Sequence, residues 1–160
     1  MKDWLRSTFQ QAAWAPLTVF IFYAVAAKGF SAYILYPWLD IPTHFCGGVA
    51  ITYFYFVAIA NSQARIGRIP NLILLSLPIG VTAITAVVWE FLEYSSDIVL
   101  GTKMNLGVAD TLSDLFFGLL GGIVFVAIAA RRMRTASNIS QGVPNEANLA
   151  FKRDALKRAP

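Results

Sequence analysis

Apolar residues run along this chain in long blocks, not in the one-sided stripes of a soluble amphipathic helix. Ser7 to Ala27 holds no charge, although Gln10 and Gln11 weaken its start. Ile41 to Ala60 carries only His44, Ile69 to Trp89 is free of charge, and Thr111 to Ala130 has Asp114 alone. About 20 apolar residues cross the roughly 30 Å hydrocarbon core of a bilayer as a helix. The pattern therefore predicts an all-α integral membrane bundle of four transmembrane helices, at about 10–30, 41–61, 70–93 and 110–131. Four helices packed in a soluble core would show polar faces at helical spacing, and these segments are apolar all round. Pro78 and Gly80 predict a kink in the third helix.

Composition agrees with this reading. Of 160 residues, 57% are hydrophobic and only 14% charged, with a mean hydropathy of +0.59. Ordinary soluble domains are more polar. The expected organisation is one transmembrane domain over 1–134 and a polar, basic C-terminal tail over 135–160. That tail reads either as a disordered basic segment near anionic headgroups or as a short surface helix within residues 145–160. Ala24, Val25 and Ala26 have the small-residue pattern of a signal-peptidase site, but the segment is expected to stay as an anchor. One cysteine, Cys46, allows neither a disulfide framework nor a thiol-metal motif.

Basic residues near helix ends set orientation. Lys2 and Arg6 precede the first segment, Arg65 and Arg68 fill the link between the second and third, and Arg131, Arg132 and Arg134 follow the fourth. With four crossings all seven fall on one side, against Lys28 and Lys103 on the other. Both termini are therefore expected in the cytoplasm. This topology accounts for the net charge of +4, and no nucleic-acid partner is implied.

The same topology gathers the ionisable residues. His44 falls at the outer end of the second helix, Glu90 and Glu93 at the outer end of the third, and Asp110 and Asp114 at the start of the fourth. Asp40 and His44 are four apart, as are Asp110 and Asp114. Glu90, Glu93 and Asp97 share a face by offsets of three and four. Charges facing lipid are costly, so these groups are expected to point at one another or at water. Their mutual repulsion needs relief from protonation, from Lys28 and Lys103, or from a bound cation. Oxygen ligands suit hard cations, and a carboxylate set with one imidazole suits transition metals. The candidate metal ligands are His44, Glu90, Glu93, Asp110 and Asp114, and the candidate acid–base residues are Glu90, Glu93 and Asp114. Duller roles exist for each: a helix-start hydrogen bond for His44, a helix-dipole charge for Asp110, and wet interfacial positions for the glutamates. Gly118 and Gly122 form a small-xxx-small pair that lets helices approach closely.

At these residues the chain resembles a known group. The stretches "DIPTHFCGG", "WEFLEY" and "GVADTLSDLFFGLLGG", in this order on successive helices, are similar to the YjdF-like family of small inner-membrane proteins, and more distantly to the VanZ-like family. The resemblance covers Asp40 to about Gly122. It implies a bacterial inner-membrane location and makes His44, Glu90, Glu93, Asp110 and Asp114 the family's polar positions. It carries no reaction. Against typical YjdF-like members this chain is expected to lack N-terminal helices, and Gly118 stands where VanZ-like proteins tend to have asparagine.

Three functions compete. The first is an outward-facing His/carboxylate site that binds a cation, such as a divalent metal ion, or a polar lipid-linked group, with acid–base chemistry open to it. The second is an accessory subunit of a larger membrane complex or homo-oligomer, where the polar cluster only fixes helix packing. The third, a transporter or proton path, ranks last because no ionisable residue continues toward the cytoplasmic half of any span.

Overall fold

Inside a bilayer no water satisfies backbone polar groups, and helices satisfy their own. The chain is described here in a computed structural model covering residues 2–26 and 30–142, with side chains through Ala136. Lys28 and the tail beyond Gly142, with the surface helix or basic tail expected there, lie outside the described residues. Among the described residues every regular element is helical: α1 (Lys2–Ala12), α2 (Trp14–Ala24), α3 (Ala32–Leu35), a 3₁₀ turn (Pro37–Leu39), α4 (Asp40–Ile66), α5 (Asn71–Leu100) and α6 (Val108–Gly142).

Three stretches are long and apolar enough to cross a membrane: Pro37–Ile66, Asn71–Leu100 and Val108–Ala136. This corrects the expectation of four continuous spans. The first segment is not one helix from about residue 10 to 30 but two helices of 11 residues each, meeting at Ala13. The cause is Pro16. It has no N–H for the Ala12 carbonyl, and its ring crowds that carbonyl. Hydrogen bonds resume on either side, from Ala13 N to Phe9 O at 3.1 Å and from Leu17 N to Ala13 O at 3.2 Å. Hydropathy scores side chains and is blind to a missing backbone donor. Pro78 has a different outcome: it lies buried within α5, which continues as helix from Asn71 to Leu100.

The α1–α2 pair lies antiparallel along α4. Trp4 Nε1 donates to the Ala58 carbonyl at 2.9 Å. Asn61 Nδ2 donates to Thr8 Oγ1 at 3.2 Å and to Gln11 Oε1 at 3.3 Å. The Tyr53 hydroxyl donates to the Gln11 carbonyl, and near the start of α4 the Tyr23 and Tyr33 rings meet edge to face at 5.2 Å. The glutamine and asparagine near the far end of the bundle thus satisfy one another instead of facing lipid.

Burial is inverted relative to a soluble protein. The most enclosed residues are small or polar, including Ala12, Thr8, Thr52, Thr82 and Asp114, while Ile34, Leu72, Ile98 and Val99 stand exposed. A face of that kind fits lipid as its solvent, and small residues inside let backbones close up. On α5 the buried positions Leu74, Pro78, Thr82 and Glu90 recur at multiples of four, one stripe turned inward. Thr52 and Thr82 join α4 to α5 by a buried hydroxyl pair at 2.9 Å. Between α4 and α6 the contact is backbone to backbone: a methyl group on Gly48 would collide with Gly118, and one on Gly121 with the Phe45 backbone. Residues 1–127 group as one unit, which contains all of these contacts; Ile128 to Gly142 prolong α6 as helix.

Candidate functional site

Short links join α4 to α5 (residues 67–70) and α5 to α6 (residues 101–107). Links this short return the chain antiparallel, so the start of α4, the end of α5 and the start of α6 come to one end of the bundle. The second link is built around Asp97. Its carboxylate accepts from Thr102 Oγ1, from Met104 N at 2.8 Å and from Asn105 N at 2.9 Å. Asn105 Nδ2 then donates to Thr111 Oγ1 at 2.7 Å, and Leu106 N donates to Asp110 Oδ2 at 2.8 Å. Gly101 and Gly107 take positive φ of 67° and 115°, which side chains rarely adopt. Asp97, expected to share a face with the two glutamates, is spent on this loop, and the loop sets where α6 begins.

The side chains converge just below. His44 from α4, Glu90 and Glu93 from α5 and Asp114 from α6 each offer one ligand atom, all within 4.8 Å of one another. Two ligands on opposite sides of one octahedral ion lie about 4.2 Å apart at magnesium-like bond lengths, and about 4.8 Å apart at calcium-like ones. The group is therefore of a size that could hold a metal. Asp114 is 2% exposed, Glu93 3% and Glu90 7%. Trp89 Nε1 donates to Glu93 Oε1 at 2.8 Å and orients it. Glu90 Oε2 and Asp114 Oδ2 are buried with no hydrogen-bond partner among the described residues. Such orphaned acceptors are rare in folded proteins.

Asp110 does not join that group. It stands with Asp40 and Asp114 in a second set of the same tightness. His44 lies between the two sets, with Nε2 at 3.4 Å from Asp40 Oδ1 and 3.8 Å from Asp114 Oδ1. Among the described residues no lysine or arginine is within ion-pair distance of these carboxylates, and Lys103, expected as a counter-charge, is exposed. Asp40 as a ligand and Trp89 as an orienting group were not among the residues expected from the sequence. The signal for each was a spacing of four, Asp40 to His44 and Trp89 to Glu93.

An apolar cavity of about 130 Å³ adjoins the cluster. Pro16, Phe20 and Tyr23 of α2, Gly47 and Ile51 of α4, and Thr82, Ala86 and Trp89 of α5 line it, and His44 belongs to both cavity and cluster. Gly47 leaves room beside α4: a Cβ there would meet nothing within 4 Å.

The family described as "Predicted membrane protein (DUF2238)" matches residues 2–135. A relative from Thermotoga maritima, described as an uncharacterized protein, is 31% identical over 90 residues, covering 56% of this chain and 46% of the relative. The match thus spans about half the length of that relative. No solved structure matches the chain.

Proposed function

Because the chain belongs to the DUF2238 family of membrane proteins, we propose that it is a multi-pass protein of the bacterial inner membrane that holds a divalent cation on His44, Glu90, Glu93 and Asp114. We read it as YjdF-like within that family. In this proposal α1 and α2, stacked end to end along α4, make a fourth crossing. Both termini are cytoplasmic, and the cation site lies just beneath the outer surface.

The observation that carries the reading is the pair of orphaned oxygens, Glu90 Oε2 and Asp114 Oδ2, inside a convergent and almost fully buried ligand set. Buried carboxylates of one sign are tolerable in a low-dielectric site only when neutralised by protons or by a cation. One imidazole with three carboxylates suits Mn²⁺, Fe²⁺ or Zn²⁺. The adjoining apolar cavity supports a lipid-linked ligand: a short stretch of hydrocarbon seated there would bring a polar head to His44 and the cation. Glu90, Glu93 and Asp114 are then the groups placed to take or give a proton at that head.

The test is metal content and affinity of the purified full-length protein in nanodiscs, reloaded with Mn²⁺, against the double variant E93Q/D114N. Loss of an outer-sphere partner alone weakens a metal site by about 10- to 100-fold. Removing two ligand charges is therefore expected to weaken binding by at least about 100-fold, while the protein still inserts and stays monodisperse. Mn²⁺ binding that the double variant retains would refute the proposal.

A further inference from the structure

Two ligand sets share one residue. His44, Glu90, Glu93 and Asp114 form the first; Asp40, Asp110 and Asp114 form the second, and each is drawn in to 4.8 Å or less. Asp114 is enclosed to 2% exposure, with Oδ1 at 3.8 Å from His44 Nε2 and Oδ2 without a hydrogen-bond partner among the described residues. We infer that Asp114 is a bridging carboxylate and that the site holds two divalent cations, the second on Asp40, Asp110 and Asp114.

The inference rests on the cation site proposed above and adds to it. Three observations carry it. A carboxylate bridges by giving one oxygen to each ion, and Asp114 alone belongs to both sets. Its free oxygen is buried where no water-facing role is open to it. Charge is the third: among the described residues five carboxylates surround one imidazole, so a single dication leaves three negative charges and two leave one. Low dielectric penalises the first arrangement far more than the second. Asp110 keeps a carboxylate oxygen for the ion, since only its Oδ2 serves the Leu106 N–H. Paired ions about 3.5–4 Å apart clamp the oxygens of an anionic group such as a phosphate ester, which makes a phosphate-bearing lipid headgroup the ligand class of choice for this site.

Mn²⁺ alone is the probe. The full-length protein in nanodiscs is loaded with Mn²⁺ and desalted, its metal counted by mass spectrometry and its spin coupling read by electron paramagnetic resonance. Two ions per chain with a coupled spectrum are expected, falling to one uncoupled ion in D110N and, independently, in D40N. Asparagine at 110 keeps an acceptor for Leu106 N–H, so that variant preserves the loop. One ion in the wild type, unchanged in both variants, overturns the bridge and leaves the single-cation proposal standing. Two ions with no coupling, insensitive to both variants, also overturn it, because the second ion then lies elsewhere. No bound ion in the wild type removes both readings.

Discussion

At the scale of single residues, what distinguishes the site is how few partners its acids have. Among the described residues Glu93 has one, the Trp89 indole N–H at 2.8 Å. Trp89→Phe keeps a ring against Phe20 and Tyr23 and removes only that donor. Mn²⁺ affinity is expected to fall by about 10-fold, the lower range for lost outer-sphere support, with the detergent melting temperature of the metal-free protein nearly unchanged; a fluorescence melt and a Mn²⁺ titration check both. Thr52 and Thr82 give a contrasting case. Their hydroxyl pair is fully buried and distant in sequence, yet such bonds in membranes are worth about 0.6 kcal/mol on average and at most about 1.7. Thr82→Val is expected to cost an amount in that range, and a double-mutant cycle with Thr52→Val measures the coupling directly. The spacing of His44, the glutamates and the aspartates was legible from sequence. Which aspartate serves the loop and which serves the cluster was not, because Asp97 and Asp114 differ in the backbone donors that tertiary folding brings to them.

At the scale of elements, glycines decide how close α4 and α6 come. Gly48→Ala would press a methyl group into the Gly118 backbone, and Gly121→Ala into that of Phe45. Backbone cannot swing aside as a side-chain tip can. Each substitution is expected to destabilise by about 1–3 kcal/mol or more, as overpacking does, and to loosen the cation site, since His44 and Asp114 ride on the two helices. Gly47→Ala and Gly80→Ala meet nothing within 4 Å and are expected to change stability by less than about 0.5 kcal/mol. Equal losses at all four positions, in a steric-trap or denaturant unfolding assay, would contradict this account. The long helices followed from hydropathy. The break at Ala13 did not, because it arises from one absent N–H at Pro16 within an apolar run.

At the scale of the whole molecule, the inverted burial and the three long apolar helices make lipid the surrounding medium. The proposed orientation has a direct check. After Cys46→Ser, cysteines placed at Lys103 and at Arg65, both exposed, report opposite ends of α5. A membrane-impermeant thiol reagent is expected to label Lys103→Cys in intact spheroplasts and Arg65→Cys only after permeabilisation. The reverse pattern would turn the site toward the cytoplasm and discard the outward-facing reading.

The linear chain by itself determined the medium and the element type. Long uncharged runs have few ways to exist other than as helices in lipid, and that constraint acts locally on composition. It also determined that His44, Asp110 and Asp114 sit near helix starts, since residue number sets position along a helix; Glu90 and Glu93, expected at a helix end, lie further inside because α5 continues to Leu100. Only the tertiary structure decided which of these share a centre, that Asp40 joins them, that Asp114 belongs to two sets, and that a cavity opens beside His44. Those facts depend on helix rotation and on glycine-mediated approach, which are set by packing between segments far apart in sequence.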